Sequence, residues 1–139
     1  AAMFYVLVKT GFGASLRTFG CNKKRLNTDN FADIEARLDG VVIENKDFED
    51  LIKVYDREKA LFYCDPPYHK TERHYTVKFT EDDHERLCRV LHQIKGRFVL
   101  SYNDDKYVRD LYKDYNIQAV TRNNSLSSGD FKEVIITNF

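Results

Sequence analysis

Asp65-Pro66-Pro67-Tyr68 brings a carboxylate, two rigid residues and a phenol ring together within four positions. These are the only two prolines of the 139-residue chain. Each fixes φ at about −65° and lacks an amide proton, so carbonyl oxygens are the free polar groups of the turn. A carboxylate and a carbonyl converging beside an aromatic face suit a planar amine, such as the amino group of a nucleobase. Leu61-Phe62-Tyr63-Cys64 upstream reads as a buried strand, which sets Asp65 at its C-terminal edge. In open α/β sheets that edge is where ligands bind. The bland alternative is a strand followed by a Pro-Pro loop.

Other reactive residue types offer less. Arg17, Lys23, Lys24 and Arg25 alternate with Phe12 and Phe19 in a Gly- and Asn-containing stretch from Lys9 to Asn30. By pattern alone this is a solvated basic loop. Cys21, Cys64 and Cys88 are odd in number and far apart, which reads as reduced, partly buried thiols in a cytosolic protein. His69, His74, His84 and His92 have no metal-ligand spacing and read as solvated loop and helix residues, so no metal site is expected. Lys+Arg and Asp+Glu balance at 22 each, so any nucleic-acid face must be a local patch. No apolar run approaches the roughly 20 residues of a membrane span, and the expected location is cytoplasmic. The chain opens directly in an apolar segment, Ala1 to Val8, which reads as the middle of something longer.

The elements that must position the turn follow from periodicity. Asn30 to Leu38 has Phe31, Ile34 and Leu38 at helical spacing, with Thr28 or Asp29 as cap. Val41-Val42-Ile43 reads as a short buried strand, and Asp47 can cap a helix through Phe48, Leu51, Ile52 and Tyr55. After the strand at 60–64, the segment from His69 to Lys78 is a polar loop containing Tyr75. Thr80-Glu81-Asp82-Asp83 starts a helix through Leu87, Val90, Leu91 and Ile94, with Gly96 as its expected C-terminal cap. Arg97 to Tyr102 reads as a strand and Asp105 to Tyr115 as an amphipathic helix. Two last strands, 117–122 and 134–139, should pair antiparallel. Strand and helix alternate from 41 to 115, which predicts a parallel sheet.

In this order the segments resemble the Dam-like, D12 class of adenine-specific DNA methyltransferases across nearly all of residues 1–139. Asp65-Pro66-Pro67-Tyr68 is similar to that family's catalytic tetrapeptide, and Phe79 to His84 to the helix start that follows it. Phe98-Val99-Leu100-Ser101-Tyr102-Asn103-Asp104 resembles the next strand motif. Arg122-Asn123-Asn124-Ser125 with Phe131 to Phe139 resembles the terminal hairpin. Val42 to Phe48 is similar to the strand and turn that close over the cofactor's adenosine.

The resemblance implies an α/β fold with a Rossmann-like, mostly parallel sheet and an antiparallel C-terminal hairpin. It implies methyl transfer from S-adenosylmethionine to the N6 amine of adenine in duplex DNA. Asp65 and the Pro66 carbonyl would accept hydrogen bonds from the amine, and Tyr68 would stack on the extruded base. Asp47, Phe48 and Asp65 are then candidates for cofactor contact, although a helix cap and a core anchor explain Asp47 and Phe48 equally well. Tyr75 is a candidate to order over the flipped base, against the alternative of an exposed loop aromatic. Arg17, Lys23, Lys24, Arg25 and Arg122 become candidate DNA contacts, chiefly to phosphates. The 9–30 loop lies near the family's target-recognition region. Ser101 and Asn103 end a strand on the active-site edge, which simple turn chemistry also explains.

The family carries, upstream, a strand and a Phe-x-Gly-x-Gly-type loop that cradles the methionine part of the cofactor. Gly11-Phe12-Gly13 is a weak match to it. The chain therefore reads as a partial catalytic domain lacking the first two strands, with the N-terminal part of the same enzyme as a further partner. The alternative is an inactive DNA-binding remnant of prophage or split-gene origin.

Overall fold

One helix opens the described part of the chain. The computed structural model describes residues 31–71, 78–123 and 130–139. The chain divides into two units, Ala1–Glu44 and Asn45–Phe139. In the first, helix α1 (Phe31–Leu38) has no buried residue. Gly40 follows it at φ +75°, the left-handed conformation that glycine adopts at helix ends without steric cost. The expected strand at 41–43 does not form: Val41, Val42 and Ile43 are exposed and unpaired with any described strand. Three apolar residues make a strand only against a neighbour that supplies ladder bonds. The expected caps Thr28 and Asp29 lie outside the described residues.

The second unit is a four-stranded mixed sheet with helices. Helix α2 (Phe48–Tyr55) starts at Asp47, whose carboxylate accepts from the Glu49 amide at 2.9 Å. Strand β1 (Leu61–Cys64) leads to the Pro-Pro turn, but it is not buried as expected: it lies at the edge of the described sheet, with Leu61 and Tyr63 exposed. Helix α3 (Glu81–Gln93) begins with a reciprocal capping box between Thr80 and Asp83. Then follow β2 (Arg97–Asn103), a short helix α4 (Lys106–Leu111) and the strands β3 (Asn116–Asn123) and β4 (Asp130–Thr137). The sheet order is β1-β2-β4-β3. β1 and β2 pair parallel, with α3 supplying the crossover that a parallel pair requires. β4 pairs antiparallel with both β2 and β3. The antiparallel C-terminal hairpin is thus present, but among the described residues the sheet is mixed rather than mostly parallel. Inserting β4 between β2 and β3 makes two of the three pairings antiparallel.

Alternation along the central strands sorts the side chains. Phe98, Leu100 and Tyr102 of β2 and Val134 and Ile136 of β4 are fully buried, in one core with Ile52, Leu87, Val90, Leu91, Val108 and Tyr112 of the helical side. Ser101, Asn103 and Glu133 alternate with them and point to the opposite face.

Gly96 serves a different purpose from the one expected of it. α3 ends with Ile94 in an extended conformation, and no left-handed cap follows. A Cβ on Gly96 would instead lie 2.8 Å from the carbonyl oxygens of Ala60 and Arg57. Its bare backbone allows the α3–β2 turn to approach the chain leading into β1. The Asp56 carboxylate locks that approach by accepting from the amides of Lys95 and Gly96, each at 3.0 Å.

Candidate active site

β1 delivers Asp65 to the C-terminal edge of the sheet, beside the end of β2. There the Ser101 hydroxyl donates to Asp65 Oδ1 at 2.8 Å. Ser101 is buried and Asp65 is exposed, so the strand fixes a carboxylate that remains open to solvent. No other donor among the described residues reaches that carboxylate, leaving acceptor capacity for an incoming N–H. Both prolines are trans.

Tyr68, half-buried, donates its hydroxyl to Glu133 Oε1 at 3.0 Å, and its ring lies 6.0 Å from that of Tyr102. Burial pushes the Tyr68 phenol up to about 12. The Ser101 hydroxyl works in the other direction, and the Glu133 and Asp65 carboxylates add to the rise. The phenol is therefore a neutral donor at physiological pH. Beyond it the chain turns back: Thr71 donates to the Tyr68 carbonyl from its amide and its hydroxyl, and Lys70 sits at φ 67° between them. The Asn103 side chain donates to the His69 carbonyl at 3.2 Å, and its own amide oxygen is buried without a partner among the described residues.

Two histidines behind the turn are interior rather than solvated. His69 and His84 are 6% and 1% exposed. His84 meets the Tyr102 hydroxyl at 2.6 Å, and His69 stacks on Tyr107 while contacting Asp105 at 3.0 Å. Burial works to raise the Asp105 carboxyl, but Lys70, the Tyr107 amide and His69 together hold it below its usual range. The polar reading of these histidines failed because His84 lies on the inward stripe of α3 with Leu87 and Leu91, and rings surround it. His92 is exposed and pairs with Tyr115, and His74 lies outside the described residues.

Next to Asp65 is an apolar cavity of about 260 Å³. Phe48, Leu51 and Ile52 of α2, Phe62 of β1, Phe79 and Leu87 line it, with Asp65 and Pro66 completing the wall. The volume lies just below that of typical ligand sites, ~300–1,000 Å³, and suits a flat ring rather than a long molecule.

Residues 9–126 match the family model of the D12 class N6 adenine-specific DNA methyltransferases. The chain belongs to that family. In this methyltransferase chain the site residues expected from sequence divide into three groups. Asp65, Pro66, Tyr68 and Phe48 gather around one turn and one cavity. Asp47 stands slightly apart, engaged as the α2 cap and in a two-pronged pair with Arg86 at 2.9 and 3.0 Å. The Arg86 guanidinium, helped by the Glu49 amide, holds the Asp47 carboxyl below its usual range. Arg86 also lies 4.2 Å over the Phe48 ring, so one cation clamps α2 to α3. Arg122 sits on β3 opposite Phe131. Arg17, Lys23, Lys24, Arg25 and Tyr75 lie outside the described residues.

Sequence reasoning missed Glu133 and Arg86 altogether. The sequence signal for Glu133 is weak: it directly precedes the apolar run Val134-Ile135-Ile136, next to Lys132, at a strand position with poor propensity for Glu. Cys64 and Cys88 are free thiols and half-buried, and Cys21 is outside the described residues. No helix among the described residues is long and apolar enough to cross a membrane.

Proposed function

We propose that the chain supplies the base-accepting side of a methyltransferase that acts on the N6 amine of adenine in duplex DNA. The observation that carries this reading is the Asp65 carboxylate, held by Ser101 yet exposed, at the rim shared by the turn and the apolar cavity. An aromatic amine is a weak nucleophile because its lone pair is delocalised into the ring. Asp65 and the Pro66 carbonyl, accepting from the two amine hydrogens, favour a more tetrahedral nitrogen and direct its lone pair away from the ring. The same two oxygens stabilise the positive charge that grows on nitrogen during transfer. Positioning and electrostatics of this kind need no covalent enzyme intermediate. Tyr68 offers a ring face to a base extruded from the duplex, since the target atom is inaccessible within the stack.

S-adenosylmethionine, when bound, supplies an electrophilic methyl group carried on a sulfonium centre. Phe48, Ile52, Phe62 and Phe79 line an apolar slot that fits its adenine ring, with Asp65 at the boundary. Asp47 acts there indirectly, by starting the helix that presents Phe48. Arg17, Lys23, Lys24, Arg25 and Arg122 serve the phosphates, and Tyr75 covers the flipped base.

Tritiated S-adenosylmethionine and unmethylated genomic duplex DNA of mixed sequence provide the assay, followed by nucleoside analysis. Label should appear in N6-methyladenine and should fall by at least about a hundredfold in Asp65→Ala, as expected when a main charge-stabilising group is removed. Label confined to cytosine, or a rate unaffected by Asp65→Ala, would refute this function.

A further inference from the structure

Glu133 is a costly residue for its place. It is 7% exposed on the fourth strand, where a carboxylate loses hydration and where Thr or Val would suit the sheet better. Burying a carboxylate is tolerated when polar partners compensate it. One such partner is the Tyr68 hydroxyl at 3.0 Å, contributed by a residue 65 positions away in the chain. The surroundings form a pattern. Asn103 is the cross-strand neighbour of Glu133, and Ser101 lies two residues earlier on the same face. Each of the three grips a different residue of the Pro-Pro turn: Ser101 holds Asp65, Glu133 holds Tyr68, and Asn103 holds the His69 carbonyl.

We propose that Glu133 is a positioning residue for the substrate base, fixing the tilt of the Tyr68 ring by accepting a hydrogen bond from its hydroxyl. This rests on Tyr68 receiving the base, as proposed above. A ring attached to a Pro-Pro turn can swing about its χ angles, and stacking on it would then cost orientation each time a base arrived. Tethering the far end of the ring to the β4 strand removes that freedom beforehand. Preorganisation of this kind acts on the rate of the bound complex more than on cofactor binding. Because the turn is built by β1 and the tether by β4, the base platform is complete only when the C-terminal hairpin has docked beside β2.

Two measurements test the assignment. The first needs no turnover: the chain is labelled with 3-fluorotyrosine, and the Tyr68 fluorine line is identified by its loss in Tyr68→Phe. Glu133→Ala should shift that line and lower the pH of its titration, while Glu133→Gln, which keeps an acceptor, should move it less. A Tyr68 line unchanged in Glu133→Ala overturns the proposal. The second is methyl transfer to the mixed-sequence duplex. Glu133→Ala should lower kcat by about ten- to a hundredfold, in the range expected for a misplaced reacting group. Its KM for S-adenosylmethionine should stay within about twofold, as expected when the lost interaction acts after binding. Glu133→Gln should recover most of the rate. Tyr68→Phe combined with Glu133→Ala should be no slower than the worse single variant, because both remove the same bond. Multiplying losses, or a lower melting temperature with kcat intact, would reduce Glu133 to a structural residue. If the unmodified chain transfers no methyl group, the function proposed above fails, while the fluorine measurement still decides whether Glu133 holds Tyr68.

Discussion

Asp65 is solvent-exposed, yet Ser101 fixes one of its oxygens from a buried position on the neighbouring strand. That division of labour lets an exposed carboxylate keep its direction without being desolvated. Ser101→Ala should lower methyl transfer by about tenfold while costing about 1 kcal/mol of stability, the usual worth of one hydrogen bond. Parallel rate and urea-unfolding measurements separate the two effects. Thiol chemistry offers a second prediction at this scale. Burial pushes Cys64 and Cys88 up to about 11, with Arg89 opposing the shift at Cys88. In a Cys21→Ser variant both thiols should alkylate far more slowly at pH 8 than in the urea-unfolded chain. The folded state favours the neutral thiol, so this contribution to stability is complete below pH 9.0 and fades as pH rises through about 11. Native alkylation should accelerate over that same interval.

Among the elements, the connection between α3 and β2 is closely packed. Gly96 approaches two backbone carbonyls, and Asp56 ties the amides of the turn to the end of α2. Neither carbonyl can move aside as a side chain could. Gly96→Ala should therefore destabilise the chain by about 1–3 kcal/mol, in the range for overpacking a filled site, seen as a lower urea midpoint with an unchanged slope. Helix α2 depends on a different device. Asp47 caps it, while Arg86 pairs with Asp47, Glu49 and Asp83 and covers Phe48. This clamp holds Phe48 in the wall of the apolar cavity, and so links helix packing to the shape of the proposed cofactor slot.

At the scale of the whole molecule, equal numbers of acidic and basic residues leave no net charge to attract DNA. Contacts to phosphate must come from a few local cations. If Arg17, Lys23, Lys24, Arg25 and Arg122 all neutralise phosphates, the slope of log K against log salt should be no steeper than about −4.5. Replacing Lys23 and Lys24 by Ala should flatten it by about 1.8, at about 0.9 per contact. Filter binding to the mixed-sequence duplex across a salt series measures both. A slope unmoved by the double substitution would take those lysines out of the interface.

What the sequence determined by itself was local chemistry. Asp47 and Thr80 announce helix starts because caps act over three residues, and both cap in the structure. Asp65-Pro66-Pro67-Tyr68 announces a rigid acceptor turn because proline constrains its own backbone and that of its neighbour. The terminal hairpin was legible from two strand-like runs without a helix between them, although β4 begins four residues earlier than its apolar run does. Tertiary structure alone decided the rest, because the deciding partners are remote in sequence. The run Val41-Val42-Ile43 has strand composition but no described partner, and a strand exists only as half of a pair. Insertion of β4 between β2 and β3 made the sheet mixed, a choice that no single segment encodes. His84 reads as polar along the chain but faces inward once α3 packs on the sheet. Glu133 meets Tyr68 across 65 residues only because β4 lies beside β2, which places a strand side chain at the Pro-Pro turn.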